Sequence, residues 1–183
     1  VSLVFCNTRW EKEGGRLLSG SCVGIIGCGH IGTDVVHLLQ PFNCRVLICD
    51  LLDKRGVVDA YGVTQVSLEK LLAEADVDAV DILLPHDLHM QATLAAAKAK
   101  KHVLIEKVMA RNVWECDRMI EACEENGVSL TVCHDRRYNP EWVTLKNVID
   151  SGVLGKIFFW KLEHNQDVNP KALGIDWIAD RDR

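Results

Sequence analysis

One stretch limits the architecture of this chain more than any other. The apolar run Val23-Gly24-Ile25-Ile26 leads into Gly27-Cys28-Gly29-His30-Ile31-Gly32, and then into a segment carrying Val35, Val36, Leu38 and Leu39. A strand that turns straight into a helix through the spacing G-x-G-x-x-G is the entry to a βαβ unit. Each glycine serves a separate physical purpose. Gly27 permits the tight turn, Gly29 lets phosphates approach bare backbone, and Gly32 lets the helix pack closely on the strand. His30 and Ile31 then open the helix, where unpaired N–H groups and the macrodipole favour negative charge.

The rest of the chain repeats the theme. From Cys22 onward short β-branched runs alternate with longer segments of helical period, which is the pattern of a parallel sheet fed by crossover helices. Strands are expected at 22–27, 45–50, 63–66, 79–84, 102–106 and 129–133. Their near-continuous apolar character, as in VDAVDILLP and KHVLIEK, fits strands covered on both faces. The expected fold is therefore α/β, a doubly wound parallel sheet of Rossmann type. Helix ends are also legible. Asn112 followed by Glu115 reads as an N-terminus and Asn126-Gly127 as a stop, with Cys116, Met119, Ile120 and Cys123 forming one apolar face. Ser67 and Asp87 stand where they would cap two further helices.

Asp50 ends the second strand about twenty residues beyond the glycines, where a carboxylate accepts hydrogen bonds from the ribose hydroxyls of a dinucleotide. The cofactor so implied is NAD, because a carboxylate there repels the 2'-phosphate of NADP. Lys54 and Arg55 follow closely enough to keep NADP in play. The plainer alternative is that the glycines make only a turn and Asp50 merely caps the next segment.

Composition removes several other functions. The formal net charge of the 183 residues is -5, with no long basic run, so a nucleic-acid partner is not expected. No stretch approaches the roughly 18 apolar residues that could span a bilayer, and the start lacks the order of a signal peptide, which reads as a cytoplasmic chain without a membrane partner. The eight cysteines lack any C-x-x-C pair and are expected to be reduced core residues. No metal site is expected, since His86 and His89 have no third ligand at suitable spacing.

Residues 1–20 read as a helical extension and 21–151 as the dinucleotide domain. After 151 the period changes: Phe158, Trp160 and Leu162 alternate with Lys161 and Glu163, as in a half-exposed strand. The segment 152–183 is too short for an independent domain, and so reads as the beginning of a truncated α+β domain. Its apolar face also makes a homo-oligomer an option.

Two family resemblances attach to these motifs. The part from Arg16 to Gly32, with Pro41-Phe42, Asp50 and Val66-Ser67-Leu68-Glu69-Lys70-Leu71-Leu72, resembles the cofactor domain of D-2-hydroxyacid dehydrogenases. From Val77 to about Asp182 the chain instead resembles the Gfo/Idh/MocA oxidoreductases. Here the matching pieces are Val77-Asp78-Ala79-Val80-Asp81-Ile82, Pro85-His86-Asp87-Leu88-His89, Lys101-His102-Val103-Leu104-Ile105-Glu106-Lys107, Arg137-Tyr138-Asn139-Pro140 and Gly152-Val153-Leu154-Gly155-Lys156-Ile157. The glycine loop and Asp50 suit this second family equally well, and no counterpart of the hydroxyacid enzymes' catalytic arginine, glutamate and histidine follows.

The second resemblance implies an NAD(P)-dependent dehydrogenase acting on a sugar, polyol or related small hydroxy or carbonyl compound. Lys107 would orient the substrate hydroxyl or take part in proton transfer, and Leu84, Pro85, His86, His89, Glu106 and Arg137 would join the cofactor pocket, with Trp177 nearby. Val108 stands where the family normally has proline after its Glu-Lys pair. Each residue also has a plainer reading: Lys107 as a solvated strand-end lysine, His89 as a packed histidine, Arg137 as a surface ion pair, Trp177 as core. The family's usual proton-transfer histidine would fall beyond Arg183, so a cofactor-binding module without catalysis is the alternative function.

Overall fold

The computed structural model describes residues 17–163. Six parallel strands form one sheet in the order β3-β2-β1-β4-β5-β6. They are β1 (Cys22–Ile26), β2 (Arg45–Cys49), β3 (Thr64–Gln65), β4 (Val77–Ile82), β5 (His102–Ile105) and β6 (Leu130–Val132). Between them run α1 (His30–Leu39), α2 (Arg55–Tyr61), α3 (Leu68–Ala73), α4 (His89–Lys98) and α5 (Val113–Asn126). This is the doubly wound arrangement expected from the sequence.

The strands are apolar throughout because the sheet feeds two cores. Ile26, Leu47, Val80, Ile82, Val103 and Ile105 pack with Leu71 of α3, Ala92 and Ala96 of α4 and Met119 of α5. On the other face Ile25, Val46 and Ile48 pack with Val36 of α1, with Val57, Val58 and Tyr61 of α2 beside them. Neighbouring residues such as Ile25 and Ile26 therefore enter opposite cores, as the period of two along a strand requires. Each such side chain contributes about 1.5–3 kcal/mol by burial. The chain winds outward from β1 to β3 and then from β4 to β6 in the other direction. Right-handed crossovers place the two sets of helices on opposite faces.

Local differences from the sequence reading have identifiable causes. β4 spans Val77–Ile82, two residues ahead of the expected 79–84, and its pairing with β1 shifts register between Cys22 and Gly24. Leu83 still donates its N–H to the Ile26 carbonyl at 2.8 Å, but the Leu84 carbonyl has left the ladder to meet His89. Ser67 caps α3 by accepting the Lys70 N–H, and Asn112 caps α5 by accepting the Glu115 N–H at 2.9 Å. Asp87 does not cap α4: it lies within a single 3-10 turn, His86–Leu88, and α4 begins behind Leu88 with no side-chain cap. Glu115 reaches back past the capping residue, accepting from the N–H and the guanidinium of Arg111. All seven cysteines among the described residues are free thiols, Cys28 and Cys123 buried and the others half-buried; Cys6 lies outside the described residues.

The chain divides into two compact units, with the boundary after Asp135. In the second, α6 (Pro140–Asp150) is capped by Asn139, whose side chain accepts the Glu141 N–H at 3.0 Å. The strand expected over 155–163 does not form among the described residues, and Phe158, Trp160 and Leu162 are exposed. A strand exists only with a neighbour to take its N–H and C=O groups, and no described segment pairs with it. The expected N-terminal helix falls mostly on residues 1–16 and Trp177 on the far end, both outside the described residues; Ser19 and Gly20 form a turn in which Ser21 donates its N–H to the Leu18 carbonyl.

Candidate functional site

The crevice where ligands bind in an open parallel sheet lies at the carboxyl ends of the two strands where the winding reverses, here β1 and β4. The glycine loop leaves β1 at that point. Gly27 has φ +97°, and a Cβ on it would lie 2.5 Å from the Leu83 carbonyl oxygen. A Cβ on Gly32 would lie 2.3 Å from the Gly27 oxygen, so helix and loop touch backbone to backbone. Gly29 differs from both: a Cβ there would meet nothing within 4 Å. Its lack of a side chain leaves open space rather than close packing. α1 begins beside that space with His30 and Ile31 exposed, no acid in its first turn and no side-chain cap. Thr33 turns its hydroxyl inward, donating to the Gly29 carbonyl at 2.7 Å. First-turn N–H groups facing open space above a bare glycine fit the pyrophosphate of a dinucleotide.

Asp50 stands next to this loop. One carboxylate oxygen accepts the Cys28 N–H at 2.8 Å and the other accepts the Leu52 N–H, also at 2.8 Å. Each oxygen keeps a further lone pair, which leaves acceptor capacity for ribose hydroxyls. The Lys54 ammonium lies 3.6 Å from the same carboxylate and neutralises part of its charge, which weakens the expected repulsion of a 2'-phosphate. Sequence reasoning missed Gln65, whose amide donates to the Leu52 carbonyl and accepts the Lys54 N–H, both at 2.8 Å. A polar residue ending the very short β3 was the available signal.

The remaining predicted residues gather on the loops after β4 and β5, one and two strands away from β1. Pro85 is exposed and His86 half-buried, and His86 meets His89 edge to face with ring centroids 5.4 Å apart. His89 itself is fully buried. Its Nε2 lies 2.8 Å from the Leu84 carbonyl, and its Nδ1 lies 3.0 Å from the Val108 and 3.1 Å from the Met109 carbonyl. The expected cofactor contact by His89 therefore gives way to a buried strut, since the ring has no free nitrogen to offer.

Lys107 is exposed at the end of β5, and its main-chain N–H donates to the Glu106 carboxylate at 2.6 Å. The Lys107–Val108 peptide is cis, at the place where the resemblance expects proline. Behind this loop Asp81 has one carboxylate oxygen buried without a hydrogen-bond partner. Burial, and secondarily the charge of Glu106, push its carboxyl up to about 6. Arg137 is exposed within the second compact unit. Among the described residues no group of three His, Cys, Asp or Glu side chains could hold a metal ion, and no helix is long and apolar enough to cross a membrane.

Comparison with known proteins agrees with this geometry. The family model described as "Oxidoreductase family, NAD-binding Rossmann fold", Gfo/Idh/MocA, matches residues 22–134. An inositol 2-dehydrogenase of Salmonella typhimurium (strain LT2) is 34% identical over 144 residues, which cover 73% of this chain and 42% of that protein. A myo-inositol 2-dehydrogenase of Thermotoga maritima is 31% identical over the same shares. The crystal structure of the WlbA dehydrogenase from Bordetella pertussis, in complex with NADH and UDP-GlcNAcA, superposes with a TM-score of 0.68 at 30% identity, over 76% of this chain and 45% of that one. The chain thus spans less than half the length of these relatives. The matched range runs through the glycine loop and Asp50 as well as the later motifs, so one family replaces the two that the sequence suggested, and the likeness to D-2-hydroxyacid dehydrogenases is not supported. From residue 22 to residue 134, this chain belongs to the Gfo/Idh/MocA family of NAD-binding oxidoreductases.

Proposed function

We propose that this chain supplies the cofactor half of an NAD(P)-dependent dehydrogenase acting on an inositol, another polyol or a sugar derivative. The observation that carries the reading is the open space at Gly29, above the uncapped start of α1 and beside the anchored carboxylate of Asp50. The names of the relatives, inositol dehydrogenases and a dehydrogenase seen with NADH and UDP-GlcNAcA, support the substrate class.

The residues divide the work along the sheet edge. Backbone at Gly27 to Gly32, including the N–H groups of His30 and Ile31, would hold the pyrophosphate, and Asp50 would accept from the adenosine ribose. Leu84, Pro85 and His86 would border the nicotinamide end, with Glu106 shaping the loop that carries Lys107. The bound nicotinamide supplies the hydride acceptor for a carbon bearing a hydroxyl group. Lys107, exposed at the strand end, would hold that hydroxyl oxygen by hydrogen bonding and charge. The Asp50 carboxylate favours NAD, and its partial neutralisation by Lys54 leaves residual use of NADP.

The test is an assay with NAD and a panel of inositols and sugar derivatives, following the absorbance of reduced nicotinamide. A protein that joins this cofactor half to a substrate half should turn over at least one polyol. Lys107→Ala should lose turnover by orders of magnitude while keeping its affinity for NADH. Unchanged turnover in the variant would reject the role given to Lys107, and no turnover on any compound would reject the activity.

A further inference from the structure

His89 is unusual in what it touches. Among the described residues it is one of four polar or charged side chains in the buried class, and its ring bridges two loops that are distant in sequence. Nε2 meets the carbonyl of Leu84, which ends the run out of β4, while Nδ1 meets the carbonyls of Val108 and Met109, which directly follow Lys107. Both ring nitrogens lie within hydrogen-bonding distance of main-chain carbonyl oxygens, so the imidazole stands between the two loops. Polar contacts made in a buried site, away from competing water, hold their partners more firmly than exposed ones.

From this geometry we infer that His89 is a positioning residue. By joining Leu84 to Val108 and Met109, its imidazole sets the spacing between the loop at the nicotinamide end of the cofactor and the loop that presents Lys107. The inference rests on the proposed function, which assigns those two loops to the nicotinamide and the substrate. It adds that the nicotinamide half of the site depends on a residue that touches neither ligand. The adenosine half, built from Gly27 to Gly32 and Asp50 at the ends of β1 and β2, has its own hydrogen bonds and should not depend on the ring.

That asymmetry separates positioning from simple support of the fold. Affinities for NADH and for ADP-ribose, which lacks the nicotinamide, are measured by calorimetry on the 183-residue chain, its His89→Phe variant and its His89→Gln variant. The phenylalanine variant should weaken NADH by about tenfold or more while ADP-ribose stays within about twofold. Glutamine, which keeps an amide donor, should recover part of the NADH affinity, and it carries the same comparison if the phenylalanine variant does not fold. Equal losses for both ligands, or no loss for either, would overturn the inference. So would a wild type that binds NADH no more tightly than ADP-ribose. A wild type that binds neither ligand would instead overturn the cofactor reading itself, and the inference with it.

Discussion

The main-chain N–H of Cys28 donates to the carboxylate of Asp50 at 2.8 Å, joining the middle of the glycine loop to the end of β2. The two residues are 22 positions apart in sequence, and together they frame the adenosine end of the site. Asp50 is thus both a structural acceptor and the group that would grip the ribose, with Lys54 balancing its charge.

Removing that carboxylate should therefore change cofactor choice as well as affinity. In Asp50→Ala the ribose loses a charged acceptor, and affinity for NADH should fall by roughly 10- to 100-fold, since hydrogen bonds to charged groups contribute about 1.5–3 kcal/mol. Lys54 remains and is released from its partner, so NADPH should lose less or gain. Dissociation constants for NADH and NADPH measured in parallel check this, and their ratio must move toward NADPH.

The glycines should separate cleanly by substitution. Gly32→Ala forces a methyl to within 2.3 Å of a backbone oxygen, and overpacking of this kind costs about 1–3 kcal/mol, visible as a lower Tm. Gly29→Ala meets no protein atom within 4 Å and should melt near the wild-type temperature. Its methyl would instead occupy the space of the pyrophosphate, lowering NADH affinity by about tenfold or more. Melting and binding measured on both variants would show the two losses in opposite places.

Asp81 gives the stability a definite pH dependence. Burial and the nearby Glu106 raise its carboxyl from 3.8 to about 6 in the folded chain. Between those values the folded state keeps a proton that the unfolded chain has released, so stability falls as pH rises through this window. Asp81→Asn removes the cost. It should stabilise the chain by ~1–3 kcal/mol near neutral pH, with the advantage shrinking as pH falls and vanishing below 3.8. Denaturant melts at the two extremes would contradict this if the gain were the same at both.

The sheet was legible because its signal is local: each strand is a short apolar run that must be covered on both faces, and six such runs produced six strands. Capping at Ser67 and Asn112 was legible for the same reason, since donor and acceptor lie three residues apart. Asp87 misled because the start of α4 is set by a turn in which Leu88 donates to the Pro85 carbonyl, leaving the acid outside the capping position. His89 could be read as a packed histidine but its partners could not, because they are main-chain carbonyls, including two that lie 19 and 20 residues away and carry no side-chain signature. The alternation around Phe158 and Trp160 is a true strand signal in kind, yet pairing depends on a neighbour that the pattern itself does not supply. The likeness to hydroxyacid dehydrogenases arose from the glycine loop and acid, a solution to pyrophosphate binding that unrelated substrate chemistries share.

The central claim is that residues 27–32 and Asp50 form a dinucleotide site, and calorimetric titration of the 183-residue chain with NADH tests it most directly. Saturable binding of one NADH per chain is expected, with Kd tighter than about 1 mM, equivalent to more than ~4 kcal/mol. Absence of saturable heat at millimolar NADH, on protein that melts cooperatively, would contradict it.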